Sequence, residues 1–148
     1  MKKEIQDDFI SYITVNANHL VNNFNQALNN SLDYSVESLL VLDDEILNHL
    51  HNNQQVMNEQ ELTNIIHRIG CYIFEVARRN FGGKYDWHWS LNQPALITGY
   101  PSFEITILTF TKVKHRIIYG SKESIPSFFN IYMKKVKTAK KGEKFILK

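Results

Sequence analysis

A chain of 148 residues, 43% hydrophobic and 22% charged, has the composition of an ordinary folded domain and the length of one. That excludes a disordered tail, a collagen-like rod and a coiled-coil filament, and no run approaches the ~18 apolar residues of a membrane helix. The formal charge of +2 conceals a gradient: residues 1–62 carry a net −8, residues 63–111 a net +1 and residues 112–148 a net +9.

The opening Met1-Lys2-Lys3-Glu4-Ile5-Gln6-Asp7-Asp8 lacks the apolar core and small-residue cleavage site of a secretory leader. Phe9, Ile10, Ile13, Ala17, Leu20, Val21, Phe24, Ala27 and Leu28 then recur at steps of three and four, which predicts a helix over 7–28. Ser35 reads as the N-cap of a second helix carrying Val36, Leu39, Leu40, Leu42, Ile46, Leu47 and Leu50. A polar linker at 51–55 precedes a third helix, which begins near Asn58 and stops at Gly82-Gly83.

The period then changes to two. Segments 84–89, 94–98 and 103–108 read as strands, with a turn at 99–102, and so predict a three-stranded antiparallel meander. Segment 110–119 fits helix or strand. A closing helix spans 125–136 with Pro126 in its first turn, and the lysine-rich tail holds one apolar knot, Phe145-Ile146-Leu147. The expected fold is α+β over one domain, 1–148: three N-terminal helices, the meander and a C-terminal helix.

The chemistry-bearing residues are sparse. Cys71, the single cysteine, permits no internal disulfide and no cysteine zinc site, which points to a reduced, cytoplasmic protein. His49 and His51 are two apart and diverge on a helix, so they make no metal pair, and no cofactor is expected. Cys71 lies four residues after His67, a spacing that could serve a thiolate nucleophile; a buried structural cysteine is the better explanation. Glu75 and Arg79 have the spacing of a helix-surface ion pair. In Asp86-Trp87-His88-Trp89, strand alternation puts both tryptophans on one face, expected in the core; were that face open, it would be a binding hot spot.

Leu32-Asp33-Tyr34-Ser35, then Gly70-x-Tyr72-x-x-Glu75-Val76-x-Arg78-Arg79-Asn80-x-Gly82-Gly83, then Asn92-Gln93-Pro94 form a pattern that resembles a group of small bacterial α+β domains. The likeness covers residues 32–130 and is densest from Gly70 to Gly83. Some proteins of this general type are cytoplasmic immunity proteins, which neutralise toxins passed between competing bacteria. The resemblance implies a binder rather than an enzyme and carries no catalytic residue over to this chain.

The expectation is thus a protein-binding module whose partner is a basic toxin domain. Nuclease toxins are basic because their substrates are phosphate-rich, so the contact residues sought are carboxylates: Asp43, Asp44, Glu45, Glu59 and Glu61, flanking the linker at 51–55, with Trp87 and Trp89 as aromatic anchors. The competing structural reading is that the acidic half balances the basic half within one molecule. The alternative function is weak, sequence-independent nucleic-acid binding through the basic segment 112–148, and an enzyme built on His67, Cys71 and Glu75 is the third.

Overall fold

The computed structural model describes residues 3–148; Met1 and Lys2, the start of the stretch read as leaderless, lie outside the described residues. Helix α1 runs Lys3–Phe24, four residues earlier at each end than its periodicity places it, and buries Ile13, Ala17 and Leu20. Irregular turns follow over 25–30, in which Asn29 and Asn30 take positive φ (52° and 59°), a conformation asparagine tolerates better than most residues. Ser35 caps the second helix: its Oγ accepts the Ser38 N–H at 3.1 Å. That helix, α2, spans 38–52, as an α-turn at Ser38–Val41, a wider π-wound stretch at Leu42–Leu47 and a final α-turn at Asn48–Asn52.

Helix α3, Glu59–Phe81, is capped by Asn58, whose side chain accepts the Glu61 N–H at 2.9 Å. Gly82 terminates it with φ 77°, and its N–H donates to the Arg78 carbonyl at 2.8 Å. The meander is present as β1 Lys84–His88, β2 Gln93–Thr98 and β3 Glu104–Ile107, paired antiparallel in that order. The ambiguous segment is helix α4, Phe110–Tyr119, which turns Val113, Arg116 and Ile117 inward. Helix α5, Ile125–Thr138, starts at Ser124, whose Oγ accepts the Ser127 N–H at 3.2 Å.

The tail corrects the expectation. Lys144–Leu147 is a fourth strand, β4, parallel to β3, so the sheet is mixed with order β1-β2-β3-β4. Phe145 and Leu147 turn partly into the core, while Lys144 and Ile146 stay exposed. The register sets Lys144 beside Glu104, and their charged groups meet at 3.0 Å. The architecture is therefore α+β, with five α-helices and a four-stranded mixed sheet among the described residues.

The buried apolar residues of helices and sheet form one cluster, in which Tyr72, Phe74, Tyr85, Phe129 and Tyr132 are among the largest members. Helices α1 and α3 make the most extensive helix pair. At the sheet's β1 edge, the Gln6 side-chain amide accepts the Tyr85 N–H at 2.9 Å and donates to the Tyr85 carbonyl. No helix among the described residues is long and apolar enough to cross a membrane.

Candidate functional site

The tryptophans break the burial expectation. Strand β1 ends at His88, so Trp89 leaves the alternation and is 84% exposed, while Trp87 is half-buried. Their rings meet edge to face at 6.4 Å. The core position of β1 belongs instead to Tyr85.

Trp87 forms one wall of a cleft of about 440 Å³ between the start of α1, the middle of α3, the β1–β2 turn and the start of α4. Ile5, Asp8, Phe9 and Tyr12 line it from α1, at the i, i+3, i+4 and i+7 positions of one helix stripe. This stripe is rotated by about a quarter turn from the core stripe of Ile13, Ala17 and Leu20. His67 and Phe110 close the inner side, their rings stacked at 4.6 Å with 17° between planes. The same pair backs a second cavity of about 410 Å³, lined further by Glu59, Leu62, Ile66 and Lys114. One continuous face thus runs from Trp89 and Trp87 across the His67–Phe110 wall to Glu59. Burial depresses the affinity of His67 for a proton, so the ring facing both cavities is neutral near pH 7.

The acidic run divides. Asp43 is only 7% exposed: its Oδ1 accepts Arg116 Nε at 2.9 Å and the Ile125 N–H at 3.1 Å. Arg116 is 0% exposed and also donates to the Asp43 carbonyl at 3.2 Å. As a contact for a partner, Asp43 is therefore a correction; it joins the acidic and basic halves of the same molecule. Asp44 and Glu45 are exposed and line a separate depression with Ala27, Leu28 and Ser31. Glu59 and Glu61 are exposed in the first turn of α3, and Glu61 accepts Asn58 Nδ2 at 3.0 Å.

Glu75 is also not the surface residue its spacing implies. It is 0% exposed, because Tyr85 of β1 and Thr14 of α1 cover it. Arg78 holds it by two bonds at 2.7 and 2.8 Å, Arg79 Nε donates at 3.1 Å and the Tyr85 hydroxyl at 2.8 Å. Burial alone would raise its carboxyl's proton affinity; these hydrogen bonds and the arginine charges outweigh that and hold it below the usual carboxylate range. Cys71 is fully buried, and burial together with the Glu75 charge pushes its thiol well above the ordinary value. A thiol so placed is neither ionised nor reachable, which removes the warrant for a nucleophile there.

The two densest motif blocks meet in space. Tyr72 Oη accepts the Tyr34 N–H at 3.0 Å and lies 2.6 Å from Ser38 Oγ. Asn80 Nδ2 donates to the Tyr34 carbonyl at 3.0 Å, and the Arg79 guanidinium stands 3.7 Å over the Tyr34 ring. Gly70 is needed for contact: a Cβ there would fall 2.4 Å from Phe110 Cδ1, and its carbonyl accepts Thr109 Oγ1 at 2.9 Å. No protein-family model, curated protein or solved structure matches this chain. Tyr34, Tyr72, Arg79, Asn80 and Gly70 are all engaged in holding the 32–38 segment or α4 onto α3. The motif is therefore a scaffold, and the open chemistry lies on the aromatic face beside it.

Among the described residues no three histidine, cysteine or carboxylate side chains come together to hold a metal. His51 Nδ1 lies 2.7 Å from the Ile117 carbonyl, and His49 turns to Asn53. Nothing in the sequence pattern marked the cleft residues Ile5, Asp8, Tyr12, Asn92, Pro94 and Phe110 as a group. One signal was present: Ile5, Phe9 and Tyr12 widen the apolar arc of α1 beyond a single core stripe.

Proposed function

We propose that this chain is a protein-binding module that covers a basic partner with its aromatic, acid-flanked face, in the manner of a cytoplasmic immunity protein occluding a toxin domain. The observation that carries the reading is Trp89, 84% exposed and seated edge-on against Trp87, which walls an apolar cleft. Large aromatics left open in this way are the residues that dominate binding energy when a partner buries them. Asp8 at one end of the face and Glu59 at the other suit a cationic partner and would speed encounter.

The test is co-expression with the product of the adjacent reading frame. That product should arrest growth alone, and this chain should restore it. Trp89→Ala should abolish rescue while leaving the melting temperature unchanged, since an exposed ring contributes little to the fold. Rescue undiminished in that variant would remove the face from the proposal, and an adjacent product that neither binds nor arrests growth would remove the immunity reading.

Weak nucleic-acid association keeps one supporting observation. Lys134, Lys137, Lys140, Lys141 and Lys148 are exposed and form no ion pair among the described residues, whereas Lys112, Arg116, Lys135 and Lys144 are already paired internally. It calls for binding to single- or double-stranded DNA that falls steeply with salt; none at about 50 mM salt ends it.

A further inference from the structure

We propose that the cleft walled by Phe9, Tyr12, Trp87 and Phe110 is a binding site for a small organic cation, an amine or quaternary ammonium carried on an apolar or aromatic body. This goes beyond the partner reading and does not depend on it. A cleft of about 440 Å³ falls within the range that encloses small ligands. Its walls are aromatic faces, which carry negative potential and attract cations. Among the described residues, Asp8 is the one carboxylate that lines it, and no arginine or lysine does.

Three further observations agree in sign. Elsewhere the chain sets its own cations over its rings: Arg79 over Tyr34 at 3.7 Å, Lys135 over Phe145 at 4.6 Å, Lys122 over Tyr119 at 5.5 Å and Lys112 over Phe128 at 5.6 Å. No cation of the described residues stands over a cleft ring. The positive end of the α1 dipole, which would oppose a cation, is offset by Glu4, Asp7 and Asp8 in the first turns. His67, neutral near pH 7, adds no repulsion.

The same cationic chemistry could arrive as a free molecule or on a partner's lysine, and the assay separates the two. The protein has two tryptophans, so Trp89→Phe leaves Trp87 as the sole tryptophan, on the cleft wall, excited selectively at the red edge where the tyrosines do not absorb. Titrated with benzyltrimethylammonium, Trp87 emission should change saturably with a Kd in the millimolar range or tighter. Benzyl alcohol should bind at least about tenfold more weakly, and 3-phenylpropionate not at all. Asp8→Asn and Tyr12→Leu, both at exposed positions, should each weaken the cation by about 3- to 30-fold with unchanged melting temperatures. Equal affinity for the alcohol and the ammonium would overturn the proposal, as would no saturation with benzyltrimethylammonium. Saturation by N-acetyl-lysine amide alone would also overturn it, giving the cleft to a partner's side chain.

Discussion

The two halves of α3 use the same residue types to opposite ends. Toward its C-terminus, Tyr72, Glu75, Arg78, Arg79 and Asn80 direct their polar and aromatic groups to other parts of the chain. One turn before Tyr72, His67 and the Phe110 it stacks on face two cavities, with Trp87, Tyr12 and Phe9 around them. A saturated cluster explains itself through stability. An unsaturated one of similar composition does not, and it is where a ligand or partner has something to gain.

The largest effects should come from opening the saturated side. Glu75→Ala strips the partners from Arg78, Tyr85 and Thr14 at once, and urea unfolding should show a loss of about 3–5 kcal/mol. Asp43→Ala should cost a similar amount, because it leaves the buried Arg116 guanidinium without a counter-charge, holding only the residue-43 carbonyl and Asn48. A loss below about 1 kcal/mol in either would mean that the contrast between the two sides is wrong.

Gly70→Ala joins the two sides. The added methyl must displace Phe110, so stability should fall by about 1–3 kcal/mol and the cleft wall should shift with it. Changed Trp87 emission in the still-folded variant would report that shift; unchanged emission would show the cleft to be independent of the scaffold.

Acid should weaken the same scaffold. The Glu75 carboxyl is held below its ordinary value of 4.5, so its stabilisation is complete above that pH and is lost as pH falls through the lower, folded-state value. His67 acts in the same direction at higher pH: its folded proton affinity lies below the ordinary 6.5, so acidification from there favours the unfolded chain. Glu75→Gln should flatten the stability–pH curve below about pH 4.5 and leave in place the His67 contribution, which sets in as pH falls below 6.5, as read by thermal melting.

The smallest effect belongs to Asp44→Lys with Glu45→Lys. Both are exposed and unpaired among the described residues, so stability should stay within about 0.5 kcal/mol of the parent. If the aromatic face is the contact, this pair should slow partner association less than reversing Asp8 and Glu59. The opposite ranking would return the contact to α2.

Helix periods, caps and glycine stops were legible because each is a local signal: Ser35, Asn58 and Gly82 do what their neighbours in sequence require. Strand β4 was not, since its four residues begin with a lysine inside a lysine-rich tail and pair with a strand forty residues earlier. Burial of charge was equally hidden. Asp43 and Arg116 lie 73 positions apart, and nothing near either announces the other. Trp89 misled because alternation was extended one residue beyond the strand's end. The cleft is a meeting of four elements, so its residues had no shared neighbourhood in the sequence to reveal them.

Gln6 has a consequence for the protein's company. Its amide offers Tyr85 a donor and an acceptor together, which is what an adjoining strand would offer, so that side of the sheet is already occupied by an imitation. The opposite border, β4, carries Lys144 within it and Lys148 just beyond, and two such borders brought together would repel. A crowded solution of these molecules is thereby kept from stitching their sheets into a common ribbon, and contact with other proteins is left to side chains rather than to exposed backbone.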